Sequence, residues 1–320
     1  MSVDSTILNI SQGDNIWDAN KFRENLEINI SKVGERETNL DLINVDTSIA
    51  NALRRIMISE VPSVAAEYIY ILNNTSVIQD EVIAQRIGLI PLKVDPDRLT
   101  WLNNDLPEDE KFTDENTIVL SLNVKCTRNL DAPKDCTDPS ILYHNAHIYA
   151  RDLKFEPQGK QEETFADSPV VSADPDILIA KLRPGQEISL RAHCILGIGA
   201  DHAKFSPVCT ASYRLMPKII ITEKIKGESA KRFQKCFPPG VIDINENDEA
   251  YVKDARKDTM TREVLRHEEF QDKVKLDRVR NHFIFNIETV GAMSAEEIFL
   301  KSVKILKNKA EYLKNSPISQ

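Results

Sequence analysis

An α+β chain is what this sequence predicts: a β-rich middle bracketed by short helices and closed by a long amphipathic one. Three observations carry that expectation. Apolar and polar residues alternate cleanly through 118–126 and 188–196, the period of a half-buried strand. Two short helical patterns separated by a strand pattern precede this middle. A capped apolar seam at heptad spacing fills residues 294–313. At 320 residues the chain is long enough for about two domains.

Taken in order, the first twenty or so residues are polar and irregular and are read as an extended N-terminal arm, 1–24. Leu26, Ile28 and Ile30 then alternate with Glu27 and Asn29 as a half-buried strand would, and Leu40 and Leu42 repeat the pattern within 38–45. Asp46, Thr47 and Ser48 are good N-cap residues. Behind them Ile49, Leu53, Ile56 and Met57 fall at helical spacing, with Arg54 and Arg55 on the other side and Pro62 limiting the helix. Residues 65–72 are rich in strand formers. Asp80 and Glu81 suit a helix N-terminus, Val82, Ile83, Ile87 and Ile90 follow, Gly88 is expected to supply a left-handed C-terminal residue, and Pro91 ends the run. Residues 96–220 read as mostly β with long connections, followed by a charged stretch, 243–280, with few apolar anchors. A last strand holds Phe283, Phe285 and Ile287 on one face.

The C-terminal helix is the clearest local signal. Ser294 and Glu297 match a capping box, in which each side chain satisfies the other's backbone N–H. Phe299, Val303, Leu306, Ala310 and Leu313 form the seam, and Ile298, Ile305 and Tyr312 make a second line beside it. Lysines gather toward the C-terminal end, where the helix dipole favours them. Periodicity alone leaves two readings open: a helix that closes its own domain, and a helix that completes its core against a partner.

Composition removes several function classes. A net charge of −9 opposes wrapping of a nucleic acid by bulk electrostatics, and basic residues interleaved with aromatics are missing. No run approaches the roughly 18 apolar residues of a membrane span, and the N-terminus lacks the features of a signal peptide. Five cysteines, widely spaced and without CxxC, fit a reducing compartment better than a disulfide scaffold, so the chain reads as a soluble intracellular protein.

Chemistry is equally sparse. His193 and Cys194 are adjacent on a strand pattern, point to opposite faces and cannot hold one ion together. Neither His202 nor Cys209 supplies the paired short spacing of a structural zinc site. Glycine-rich phosphate loops and nucleophile elbows are absent, and Glu108, Asp109 and Glu110 read as a solvated charge run. His267-Glu268-Glu269 lies in a charged, exposed segment where nothing would tune a catalytic pKa. A hydrolase built on residues 193–267 and a stand-alone nucleic-acid-binding module are the rival readings; substrate or metal dependence would mark the first, and binding at low salt the second. Arg54 and Arg55 stand out more, because adjacent guanidinium groups can present forked, charge-assisted donors to an acidic surface, although two solvated arginines explain them as well.

The run Asn51-Ala-Leu-Arg-Arg-Ile-Met-Ile-Ser-Glu-Val-Pro resembles the signature helix of the RNA polymerase alpha family, which has archaeal as well as bacterial and eukaryotic members. AEYIYILNNTSVIQDEVIAQRIGLIPL at 66–92 extends the match, as do LRPGQEISLRAHCILGIGADHAKFSPV at 182–208 and VRNHFIFNIETVGAMSAEEIFLKSVKILKNKAEYL at 279–313. Together these segments look like the alpha-like subunit shared by eukaryotic RNA polymerases I and III, and the likeness spans nearly all of the chain after the arm.

The resemblance implies an RNA polymerase alpha N-terminal-like fold. A discontinuous dimerisation module, 25–95 with 221–320, carries an inserted β-rich domain at 96–220. It implies a non-catalytic assembly subunit of polymerases I and III, which serve rRNA, 5S rRNA and tRNA transcription and ribosome biogenesis in the nucleus and nucleolus. A smaller alpha-like subunit would pair on Ile49, Leu53, Ile56, Phe299, Val303, Leu306, Ala310 and Leu313. Arg54 and Arg55 would dock the second-largest subunits, Arg55 being the better single candidate, and other polymerase subunits would join the assembly. Relatives that hold an iron–sulfur cluster or zinc do so through clustered cysteines. Cys126, Cys136, Cys194 and Cys209 do not reproduce that cluster, so neither metal nor cofactor is expected. The chain ends seven residues after Leu313, leaving no room for the DNA-binding domain that bacterial alpha adds.

Overall fold

The computed structural model describes residues 18–133 and 137–316 as a mixed α/β structure. Its principal helices are α1 (Ala19–Asn25), α2 (Thr47–Ser59), α3 (Asp80–Gly88), α4 (Gly227–Lys235) and α5 (Ala295–Asn315). The principal strands are β1 (Glu27–Val33), β2 (Glu37–Ile43), β3 (Ser63–Asn74), β4 (Thr117–Lys125), β5 (Lys154–Glu156), β6 (Glu187–Gly197), β7 (Val208–Ile221), β8 (Ile242–Ile244), β9 (Ala250–Val252) and β10 (Val274–Thr289). One four-stranded sheet runs β1-β2-β10-β7 and another β3-β6-β4-β5, while β8 pairs with β9. The described residues fall into two compact units, one of 18–29, 41–47 and 215–283, the other of 30–40, 48–214 and 284–316.

In the larger unit, β6 pairs antiparallel with β3 on one side and β4 on the other, and β4 pairs antiparallel with β5. Alternation sorts the side chains. Ile188, Leu190, Ala192 and Cys194 of β6 join Ile118, Leu120 and Leu122 of β4, Val64 and Ala66 of β3, and Ile83 and Ile87 of α3 in one core. His193 faces the other way, with Tyr70 and Phe112 edge-on to its ring at centroid distances of 4.9 and 4.8 Å. The opposed faces expected for His193 and Cys194 are what the register produces. Gly88 departs from expectation. It is the last residue of α3 and is not among the positive-φ glycines. Its use is close approach, since a Cβ there would sit 3.4 Å from the Ala66 carbonyl oxygen.

The smaller unit contains the charged stretch that looked poorly anchored. Phe233, Phe237, Val241, Ile242, Ala250, Val264, Phe270 and Val274 form a core of their own, with Phe233 edge-on to Phe237 at 5.1 Å and to Phe270 at 5.2 Å. Few apolar residues suffice because several are aromatic, and each ring buries a large area. His267 and Glu268 are exposed as expected, and Glu269 pairs with Arg232 at 3.2 Å. Asp41 is buried in this unit, accepting hydrogen bonds from Arg256 and, at 2.9 Å, from His282 Nε2. Burial opposes ionisation of this carboxyl, yet the two hydrogen bonds outweigh it and hold the pKa below the usual carboxylate value.

Two N-terminal expectations change. Residues 19–25 are helical rather than extended, because the Asp18 carboxylate accepts from the N–H groups of Asn20 and Lys21 and caps the turn. The rest of the expected arm, 1–17, lies outside the described residues. Strand β1 forms, but Ile28 and Ile30 are about half exposed and no residue of the strand is buried. It is an edge strand, so alternation alone gave it a face without supplying a cover for that face.

Candidate subunit interface

Helix α5 begins at the expected capping box: Ser294 Oγ accepts from Glu297 N at 3.2 Å, and Ser294 N donates to Glu297 Oε2 at 3.0 Å. Ala295, Ile298 and Ser302 are its buried residues, and the Ser302 hydroxyl donates back to Phe299 O at 2.6 Å. Ile305 and Leu306 are half-buried, and every residue from 307 to 315 is exposed. The N-terminal half of the helix is seated in its own unit, whereas the C-terminal half is not.

This seating separates the two apolar lines read from the sequence. The buried line continues from Ile298 through Ser302 to Ile305. The seam of Phe299, Val303, Leu306, Ala310 and Leu313 lies one residue further on, hence about 100° around the helix. Phe299 and Leu306 are half-buried, Val303 is 43% exposed and Leu313 71% exposed, and Ala310 is exposed. Leu300 at 66% and Tyr312 at 74% widen the open face. Leu300 belongs to neither line; it sits between Lys304 and Lys307 on the lysine-bearing flank of the helix, where periodicity gives no apolar signal. Lys301 pairs with Asp97 at 2.6 Å and Lys309 with both carboxylate oxygens of Glu60 at 2.8 and 2.9 Å. Exposed pairs of this kind contribute about 0–1 kcal/mol, so they orient the helix more than they hold it.

Helix α2 divides its predicted residues differently. Leu53 and Ile56 are 5% and 3% exposed and belong to the chain's own interior, together with Ala50 and Met57. They have almost no surface left to offer a second chain, while Ile49 is half-buried. Arg54 Nε and Nη2 both donate to Asn51 Oδ1 one turn earlier, at 3.1 and 3.0 Å. Arg55 is exposed, and among the described residues its guanidinium meets no acceptor. The two arginines, equivalent in sequence, are therefore distinct in structure: one is committed within its helix and one is free.

Among the described residues, no group of three or more His, Cys, Asp or Glu side chains is placed to hold a metal ion. Cys126, Cys194 and Cys236 are buried free thiols, Cys209 is an exposed one, and Cys136 lies outside the described residues. Burial pushes the Cys194 thiol up to about 12, which keeps it unreactive at neutral pH. No helix among the described residues is long and apolar enough to cross a membrane.

The C-terminal half of α5 thus leaves apolar side chains open, and Arg55 has no side-chain partner among the described residues. The sequence profile of the RNA polymerase Rpb3/Rpb11 dimerisation domain matches residues 39–310. The chain belongs to this Rpb3/Rpb11 dimerisation-domain family. Among its relatives, the DNA-directed RNA polymerases I and III subunit RPAC1 of Saccharomyces cerevisiae is 77% identical over 308 residues, covering 96% of this chain and 92% of the relative. RPAC1 of Mus musculus is 44% identical over 299 residues, covering 92% and 86%. RPAC1 of Homo sapiens is 42% identical over 304 residues, covering 94% and 87%. The resemblance drawn from residues 51–62, 66–92, 182–208 and 279–313 is borne out, and the Rpb3/Rpb11 profile embraces all four segments apart from the last three residues.

Proposed function

We propose that this chain is a non-catalytic assembly subunit common to DNA-directed RNA polymerases I and III, working in the nucleus and nucleolus. The observation that carries the reading is the open apolar face of α5, where Leu300, Val303, Tyr312 and Leu313 remain largely in solvent. Exposed apolar side chains of this kind are costly in a free chain, and the cost is removed when a partner covers them. The partner is a smaller alpha-like subunit, and the pairing face is Phe299, Val303, Leu306, Ala310 and Leu313, joined by Leu300, Tyr312 and Ile49. Leu53 and Ile56 act from behind, by fixing α2. The fold is read as the RNA polymerase alpha N-terminal type, its dimerisation module formed by 25–95 with 221–320 and its inserted domain by 96–220. Polymerisation chemistry belongs to the large subunits, and Arg55 supplies this chain's docking contact to the second-largest of them.

Purification of the tagged chain from its own cells, with quantitation of stoichiometric partners, tests this. A small alpha-like subunit and the large subunits of both polymerases should be recovered. A stable monomer on its own would overturn the reading. Leu306→Asp should abolish heterodimer recovery, because it places a charge in a closing apolar interface; normal recovery of that variant would remove Leu306 from the face.

A further inference from the structure

His193 is a titratable side chain that the assembly reading leaves unused, and its surroundings suit a neutral ring. It stands on β6 on the face opposite the core, where Phe112 meets it edge-on at 4.8 Å and Tyr70 at 4.9 Å between centroids. Phe112 is also edge-on to Tyr68 at 5.2 Å, so one ring spans β3 and β6. Nδ1 of His193 is buried, and among the described residues it has no hydrogen-bond partner. An unpaired lone pair costs less to bury than an unpaired N–H, which puts the proton of the neutral imidazole on Nε2.

The segment that carries Phe112, residues 111–117, is tied on either side of that ring. Lys111 Nζ donates to the Tyr68 hydroxyl at 2.9 Å and Asn116 Nδ2 to Lys111 O at 3.0 Å. Gln161 Nε2 donates to Asp114 O and to Thr117 O, both at 2.7 Å. Between these ties Phe112 rests on His193. The charged groups around the imidazole are committed elsewhere: Arg191, two residues away on the same face of β6, pairs with Glu156 of β5 at 3.4 Å, and Asp114 accepts from Lys160 N at 3.0 Å. A proton added at Nδ1 would therefore create a buried N–H without an acceptor, close to the Arg191 charge. Burial and Arg191 together hold the His193 pKa below the ordinary histidine value of about 6.5. A cavity of about 330 Å³, lined by His193, Phe112, Asp114, Glu156 and Arg191 among others, lets solvent reach the ring without unfolding.

We propose that His193 is a proton-sensitive latch: the neutral ring holds residues 111–117 closed over β3 and β6, and a proton taken up on it releases them. Opening the segment admits water to Nδ1, which satisfies the new N–H and screens it from Arg191. The closed form disfavours the proton, so its stability relative to the open form is constant well above about pH 6.5 and falls as pH drops from there toward the lowered value. Asp41 does not contribute in that range, because its carboxyl is held below the usual carboxylate value and stays ionised. The latch is independent of the assembly reading.

Amide exchange of residues 111–117 in the purified full chain, corrected for the intrinsic effect of pH, reads the opening. The imidazole resonances of isotope-labelled histidine, with that of His193 assigned by its loss in the variant, read the proton. Between about pH 7.5 and about pH 5, protection of the segment should fall severalfold in step with the His193 titration, while β4 and β6 stay protected. His193→Phe keeps a ring beside Phe112 and removes the titration, so its segment should stay protected across the same range. If that variant is already unfolded at neutral pH, His193→Gln, which is polar and does not titrate, takes its place. Opening of equal size in the variant would assign the effect to another group and overturn the latch. A segment that stays closed while His193 takes up its proton overturns it as well, as does a ring that remains neutral down to about pH 5.

Discussion

Leu313→Ala separates a pairing helix from a helix that closes its own domain. Leu313 is 71% exposed, so most of its transfer free energy has not been realised in the free chain. Full burial of a leucine side chain is worth about 1.5–3 kcal/mol, and the unrealised share is about 1–2 kcal/mol. Truncation to alanine should therefore weaken heterodimerisation about 5–30-fold in Kd. The melting temperature of the chain itself should be unchanged, because the residue contributes little to its own unit. Ile298 is the internal contrast. At 0% exposure it has realised its burial completely, and Ile298→Ala should cost about 2–5 kcal/mol of folding stability. Kd would be read by dilution-induced dissociation of the purified heterodimer, and stability by thermal and urea unfolding. An unchanged Kd for Leu313→Ala, or a loss of stability matching that of Ile298→Ala, would refute the division of α5 into a seated half and a pairing half.

Three further expectations follow from particular contacts. Asp41→Asn should cost about 1.5–3 kcal/mol, because it removes the buried charge that accepts from Arg256 and His282; urea unfolding measures it. The wild-type carboxyl has a lowered folded-state pKa, so its stabilisation is present above about pH 4 and disappears as pH falls through that lowered value; an acid titration in which Asp41→Asn and wild type lose stability in parallel would contradict the assignment. Ser294→Ala should remove about 1 kcal/mol by deleting one half of the capping box, seen as faster amide exchange in the first turn of α5. A thiol reagent at neutral pH should label Cys209 well before Cys194, which is buried and has its pKa pushed up to about 12; equal rates by peptide mass spectrometry would mean that the β6 core opens readily.

What the sequence determined by itself was local. The capping box at Ser294, the alternation that sends His193 and Cys194 to opposite faces, and the long motifs that placed the chain in its family are all written in short spacings, which chain geometry alone converts into structure. Burial was another matter, because it depends on what lies opposite. Ile28 and Ile30 carry a strand's apolar face, yet they remain exposed because their strand is an edge. The segment after 243, poor in apolar residues, packs because Phe233, Phe237 and Phe270 meet. The same holds for the candidate interface. Periodicity gave α5 a wide apolar face and gave α2 two arginines, but it could not say that Ile298 is closed while Tyr312 and Leu313, further along the helix, are open. Nor could it say that Asn51 takes Arg54 and leaves Arg55 free. Those distinctions come from contacts between residues far apart in the chain or one helical turn away. The helix itself brings the near partners together, the folded tertiary structure the distant ones, and with them it decides which surfaces are left uncovered.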